Sequence, residues 1–98
     1  MWGTGIQPLM VTVHVTHHLR REGFEGPWQV APGSLRQVLD ALFRSEPRLR
    51  SYVVDDQGRI RKHVAVFLDG QALTDREHQQ VAVPGGSEVH LLQALSGG

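Results

Sequence analysis

The residues best suited to chemistry are the last three, Ser96-Gly97-Gly98, which follow closely on the apolar segment Glu88 to Leu92. Glycine has no side chain and leaves the backbone free, so a carboxylate carried on two glycines can enter a narrow active site of another protein. A carboxylate is a poor electrophile, and it becomes reactive once an enzyme couples it to AMP from ATP. The sequence therefore predicts chemistry at the carboxylate of Gly98, with Gly97 beside it.

Composition limits the other functions that this chain can carry. Ten basic and ten acidic residues give a formal net charge of zero, whereas a nucleic-acid surface needs a basic excess. The absence of cysteine excludes disulfides, thiolate metal sites and a persulfide on a side chain. No apolar run approaches the roughly 20 residues of a membrane span, and no signal-peptide pattern precedes Met10. We expect one small cytoplasmic domain with a protein partner and with no nucleic-acid or membrane partner.

The sequence contains no pattern typical of an enzyme active site. Pro84-Gly85-Gly86-Ser87 lacks the lysine and the following helix that phosphate binding needs. Asp55 and Asp56 stand beside Gln57-Gly58, which is typical of a turn rather than of an acid–base pair. We therefore expect no bound cofactor.

Six histidines raise the question of a metal site. His14, His17 and His18 cluster at the end of the first predicted strand, and His90 joins them if the first and last strands pair. The pattern lacks a standard ligand motif such as His-Glu-x-x-His, and a histidine pair in a soluble protein is more often solvated than bound to a metal. The sequence therefore predicts no metal.

The spacing of apolar residues predicts the strands that position the terminus. Alternation and β-branched residues predict a first strand over Leu9 to Val15, and the apolar runs Val64 to Leu68 and Glu88 to Leu92 predict two more. Shorter strands are expected at Pro27 to Val30, Gln71 to Leu73 and Val81 to Val83.

One helix is predicted after Pro32-Gly33. Ser34 and Gln37 have the spacing of a capping box, and Pro47 ends the helix. Five apolar residues form a single stripe along it: Leu35, Val38, Leu39, Leu42 and Phe43. Residues 16–26 are expected to form a loop, and the chain is expected to be irregular from Leu49 to Val53.

This order of elements resembles that of the β-grasp sulfur carriers of the MoaD/ThiS family and, more distantly, that of ubiquitin. The resemblance is carried by Ser34 to Leu42, by Val64 to Gly70, which ends in the turn Asp69-Gly70, and by Val83 to Leu92 before Gly97-Gly98. It implies an α+β, ubiquitin-like β-grasp fold, with a mixed four- to five-stranded sheet packed on one main helix. Residues 1–93 are the implied domain and residues 94–98 a flexible tail.

The resemblance also implies a function and its partners. An adenylating activating enzyme of the MoeB/ThiF kind adenylates Gly98 with ATP. A sulfur donor such as a sulfurtransferase then displaces AMP to leave a thiocarboxylate, and a synthase accepts the sulfur. Cysteine synthesis is favoured because Val54 to Arg61 looks like a segment of carriers in that pathway. The alternatives are the small subunit of molybdopterin synthase, a protein modifier conjugated through Gly98, and an interaction module with an inert tail.

Strand alternation predicts a docking surface for these partners. Phe67, His90 and Leu92 are expected on the face of the sheet away from the helix, where exposed apolar side chains mark interaction sites. Leu95 in the tail is grouped with them. A group of five basic residues leaves open a second contact, with an acidic partner. This basic group consists of Arg48, Arg50, Arg59, Arg61 and Lys62.

Overall fold

The structure, a computed structural model, describes residues 9–93, and within them the chain forms seven strands and three helices. The strands are β1 (Val11–Val15), β2 (Trp28–Val30), β3 (Gly33–Ser34), β4 (Val64–Leu68), β5 (Gln71–Ala72), β6 (Ala82–Val83) and β7 (Glu88–Gln93). The helices are α1 (His17–Arg20), α2 (Leu35–Ser45) and α3 (Leu49–Val53). None of these three helices is long and apolar enough to cross a membrane.

Five strands form one mixed sheet in the order β2-β1-β7-β4-β5. The two central strands β1 and β7 are parallel, and every other pair in this sheet is antiparallel. β3 and β6 form a separate two-stranded sheet. The architecture is therefore α+β, with a five-stranded mixed sheet and α2 as the main helix, as the sequence predicted.

The alternation of side chains in β1 separates a buried face of the sheet from an open face. Val11, Val13 and Val15 are at most 3% exposed and belong to the core, whereas Thr12 and His14 between them are half-buried. Burying an apolar side chain of this size stabilises the fold by about 1.5–3 kcal/mol. A cross-strand pair contributes only about 0.2–1 kcal/mol. The buried face therefore determines the strand register.

The predicted capping box begins α2. The Ser34 hydroxyl accepts a hydrogen bond from the backbone N–H of Gln37 at 3.1 Å, and the Gln37 side chain accepts one from the Ser34 N–H at 2.9 Å. All five residues of the predicted apolar stripe are buried. The helix ends at Ser45, two residues before Pro47. The capping box and the stripe therefore place this helix on the buried face of the sheet.

Two segments predicted to be irregular contain short helices. The predicted loop of residues 16–26 contains α1, which places Leu19 in the core at 1% exposure. The chain from Leu49 to Val53 forms α3, whose first and last residues are both completely buried. Helices of four and five residues are too short for a helical period to be visible in the sequence. One or two buried apolar residues are enough to anchor such a short helix.

The turn before β7 sets that strand beside β1. The N–H of Gly86 donates to the carbonyl of Met10 at 3.0 Å, and that of Thr12 donates to Ser87 at 3.1 Å. A Cβ atom on Gly85 would lie 2.6 Å from the carbonyl oxygen of Leu9, so only glycine permits this approach. Gly85 and Gly86, in the segment Pro84 to Ser87 that lacks a phosphate-binding pattern, thus have a packing role.

A carboxylate organises the connection between β5 and β6. Asp75 accepts hydrogen bonds from the backbone N–H groups of His78 at 3.0 Å and Gln80 at 3.2 Å. These bonds lower the pKa of the Asp75 carboxyl because they favour its charged form, and the bond from the backbone of His78 is the largest cause. Gln79 between them is 2% exposed and donates to the carbonyl of Gly58. The connection is therefore tied to the segment that follows α3.

Ser34→Ala is expected to lower the free energy of unfolding by about 1 kcal/mol, because it removes the cap of the main helix. Urea denaturation followed by circular dichroism measures the change. Ser45→Ala, at the exposed end of the same helix, is the matched control. Equal effects of the two substitutions would show that the cap contributes nothing specific.

Acid is expected to destabilise the protein partly through Asp75. Because the pKa of Asp75 is lower in the folded chain than in the unfolded one, its contribution is complete above the unfolded pKa. That contribution is lost as the pH falls below about 4 and through the folded pKa. The free energy of unfolding of Asp75→Asn is therefore expected to depend less on pH in this range than that of the wild type, as measured by urea denaturation at a series of pH values. Parallel stability curves for the two proteins would contradict this assignment.

Candidate docking surface on the open face of the sheet

The predicted docking residues lie together on the open face. In the register of the sheet, His90 of β7 is opposite Phe67 of β4 on one side and His14 of β1 on the other. Leu92 is opposite Ala65 and lies two residues beyond His90 on the same face. We call Phe67, His90, Leu92 and Ala65 the docking surface. The register puts all four of them on one face of the sheet, whereas their role in docking stays a prediction.

These side chains are less accessible than the sequence predicts. Phe67 and Leu92 are half-buried rather than exposed, because both lie in inner strands with paired neighbours on each side. In residues 9–93 the exposed large apolar side chains are Leu9, at 67%, and Met10, at 38%. The docking surface is thus a shallow strip of partly accessible apolar atoms within the sheet.

A polar cluster borders this strip on the side of β1. The rings of His14 and His90 are stacked, with centroids 4.4 Å apart and planes inclined by 10°. The Nε2 atom of His14 lies 2.9 Å from a carboxylate oxygen of Glu88. His90 therefore lies beside His14, as expected if the first and last strands pair. Sequence reasoning did not select Glu88, although its position two residues before His90 puts both on one face of the strand.

The predicted reactive terminus lies beyond the described residues. β7 ends at Gln93, which is paired with Val64 of β4. Gly97, Gly98 and Leu95 all lie outside residues 9–93, as does the proposed tail over residues 94–98. The docking surface is therefore carried by the strand that leads into these residues, since Leu92 immediately precedes Gln93.

The predicted basic group is divided in the structure. Arg59, Arg61 and Lys62 line an open cleft of about 480 Å³. The guanidinium of Arg48 instead lies over the ring of Phe24, 4.6 Å from its centroid. Arg50 lines an adjoining depression together with Arg61. Four of the five residues therefore line adjoining hollows, whereas Arg48 packs on Phe24.

An acidic residue of the same chain, Asp55, reduces the positive charge of this cleft. Asp55 accepts hydrogen bonds from the backbone N–H groups of Arg59 at 3.0 Å and Gln57 at 2.9 Å, so it is a turn residue, as predicted. The bond from the backbone of Arg59 is the leading cause that lowers the pKa of the Asp55 carboxyl. The Arg59 side chain also pairs with Asp55 at 3.1 Å. An exposed pair of this kind contributes little to stability.

Comparison with known proteins gives matches among solved structures. No protein-family model and no curated protein matches the sequence. The crystal structure of SAMP1 from Haloferax volcanii superposes with a TM-score of 0.77 at 25% identity, over 91% of this chain and 99% of that one. The solution structure of small archaeal modifier protein 1 from Methanosarcina acetivorans gives a TM-score of 0.68 at 20% identity, over 94% and 99% of the two chains.

A further match comes from a bacterial complex. A chain in the crystal structure of the Amycolatopsis orientalis BexX/CysO complex superposes with a TM-score of 0.69 at 17% identity, over 90% of this chain and 99% of that one. These neighbours are all ubiquitin-like β-grasp proteins of the MoaD/ThiS type. The chain has the ubiquitin-like β-grasp fold of these MoaD/ThiS-type proteins, as the resemblance in its sequence predicted.

Proposed function

We propose that this protein is a ubiquitin-like sulfur carrier whose reactive group is the carboxylate of Gly98. The observation that carries the proposal is the continuity of the last strand with Gly97-Gly98 in a chain with the β-grasp fold. β7 has hydrogen-bonded neighbours on both sides, and Val89 and Leu91 within it are completely buried. A partner can therefore hold the residues beyond Gln93 without displacing the strand that carries them.

The length of the segment after β7 suits this use. Ala94 to Gly98 are five residues, which span roughly 17 Å when extended. The carboxylate of Gly98 then reaches into a buried active site while the docking surface stays in contact with the outer wall of the partner.

The chemistry divides between this chain and its partners. An activating enzyme of the MoeB/ThiF kind binds ATP, and the carboxylate of Gly98 attacks its α-phosphorus, which releases pyrophosphate and forms an acyl adenylate. The terminal sulfur of a persulfide on a donor such as a sulfurtransferase attacks the acyl carbonyl and displaces AMP, which gives an acyl disulfide. A thiol then attacks the donor's sulfur in that disulfide, which leaves the thiocarboxylate on Gly98 and a disulfide between the thiol and the donor. Because the chain has no cysteine, the sulfur can be carried only at this terminus.

We expect one oxygen-for-sulfur exchange at Gly98 after incubation with the activating enzyme, ATP and a sulfur donor. Intact-mass spectrometry followed by fragmentation of the C-terminal peptide locates the exchange and establishes the mature terminus. A variant without Gly98 is the control and should remain unmodified. Failure of the wild type to form either the adenylate or the thiocarboxylate with every cognate activating enzyme would refute the proposal.

Phe67→Ala is expected to slow adenylation on the order of 10-fold, because truncation of a central aromatic residue weakens a docked interface. The initial rate of pyrophosphate release measures the change, and thermal unfolding verifies that the variant is folded. Arg44→Ala is the control, since Arg44 lies on the exposed side of α2, away from the sheet. Equal rates for Phe67→Ala and the wild type would place docking on another surface.

A second function, conjugation to other proteins, is favoured by the structural match at 25% identity with SAMP1 from Haloferax volcanii, a ubiquitin-like modifier. The same adenylate serves both functions, because a deprotonated lysine amine attacks the same activated carbonyl as a sulfur nucleophile. Gly97-Gly98 remnants on lysines in cellular digests identify conjugation, whereas the thiocarboxylate identifies sulfur transfer.

For the sulfur carrier, we propose a cysteine-forming synthase as the acceptor. The support is the resemblance of the segment Val54 to Arg61 to a segment of carriers in that pathway. In the structure, Val54 and Ile60 of this segment form an antiparallel bridge around the Asp55 turn. The structural match to a BexX/CysO complex at 17% identity supports the fold alone. A molybdopterin synthase is the other candidate acceptor, and incubation of the isolated thiocarboxylate with each class of synthase distinguishes them by product. We propose a cytoplasmic location, because the proposed activation needs ATP.

A further inference from the structure

Three side chains on the open face form a donor set of the kind that binds transition metals. His14, Glu88 and His90 each offer a ligand atom, and these atoms all lie within 4.8 Å of one another. They are the one group of three or more histidine and carboxylate side chains with this spacing among the side chains that the structure describes, which leave out those of residues 17 and 18. We propose that they form a binding site for a divalent transition-metal ion of the zinc type.

The backbone already fixes the positions of the three ligands. His14 and His90 are directly opposite in the parallel β1–β7 pair, and Glu88 precedes His90 by two residues on the same face. Val13 and Val89, the neighbours of these residues on the other face, are completely buried. A shift of either strand would expose core residues, so the ligands are held in place by the core beneath them.

Rotation of the side chains is needed to close the site. A tetrahedral ion with bonds of about 2.0–2.2 Å places its ligand atoms about 3.3–3.6 Å apart. The His14–Glu88 pair, at 2.9 Å, is slightly closer than this, and the other pairs are no farther than 4.8 Å. The lone pair of an imidazole nitrogen lies in the plane of its ring, so the two stacked rings must tilt toward a common ion. The side chain of Glu88 is 58% exposed and that of His14 27% exposed, which leaves room for this movement.

The ligand types determine the class of ion. Two imidazoles and one carboxylate suit Zn²⁺ and its neighbours Ni²⁺ and Cu²⁺, whereas Ca²⁺ and Mg²⁺ prefer oxygen ligands alone. Three protein ligands leave the fourth position of a tetrahedral ion open, as in catalytic rather than structural zinc sites. That position faces away from the core, so that water or a side chain of a docked protein can occupy it.

The sequence could not reveal this site by a motif. His14 and His90 are separated by most of the chain, and they meet only because β1 and β7 pair in parallel. A contiguous ligand motif places its members on one helix or in one loop, whereas these ligands come from two strands.

The test is a titration of the full chain, prepared without an affinity tag, with Zn²⁺ by isothermal titration calorimetry. We expect one ion per chain, and His14→Gln, His90→Gln and Glu88→Gln should each weaken binding on the order of 10-fold or more, since even residues that only support a ligand cost that much. His63→Gln and His78→Gln are the controls, because both histidines are exposed and lie outside the cluster. Ca²⁺ and Mg²⁺ should give no binding.

A spectroscopic measurement keeps the result independent of folding effects. Zn²⁺ should shift the ¹⁵N ring resonances of His14 and His90 in the wild type, and thermal unfolding verifies that each variant is folded. Any of three results would overturn the proposal. These are undiminished affinity in both His14→Gln and His90→Gln, equal losses of affinity in the control variants, and the absence of saturable binding in the wild type. Loss of binding only in a His17→Gln/His18→Gln variant would also overturn it. The measurement needs no activating enzyme, so its outcome is independent of the sulfur-carrier proposal.

Discussion

The parallel pairing of β1 and β7 is the constraint on which the rest of this structure depends. It joins the first and last described strands in the middle of the sheet, so that the β2–β1 pair and the β7–β4 pair become one sheet. The pairing is held in register by apolar residues on one face, with Val13 opposite Val89 and Val15 opposite Leu91, all of them buried. The open face takes its arrangement from this register, because alternate residues of the same strands point to opposite sides.

Much of the fold could be predicted because its signals are local. Two patterns determine the local structure over only a few residues, namely the capping pair Ser34 and Gln37 and the alternating valines of β1. The turn Asp69-Gly70 is equally local, since both residues have positive φ, of 48° and 87°, as a two-residue hairpin turn of type I′ requires. In contrast, β3 consists of Gly33 and Ser34 and forms only because β6 lies beside it. No pattern within two residues can predict such a strand.

The candidate site was predictable to a similar extent. Alternation correctly placed Phe67, His90 and Leu92 on one face, since it depends only on the period of a strand. Their partial burial was not predictable, because it depends on which strands flank β4 and β7. The association of Glu88 with His14 likewise depends on a register between distant strands. The sequence therefore indicates which residues share a face, whereas the topology determines what surrounds them.

The parallel arrangement of β1 and β7 also determines how the domain responds to mechanical force. The chain enters β1 at Val11 and leaves β7 at Gln93, at opposite ends of two strands that point the same way. Tension between these points loads the interstrand hydrogen bonds in shear, so that they must break together rather than one after another. Tension on the residues after Gln93 that is resisted at the start of β1 therefore acts along these two strands rather than across them.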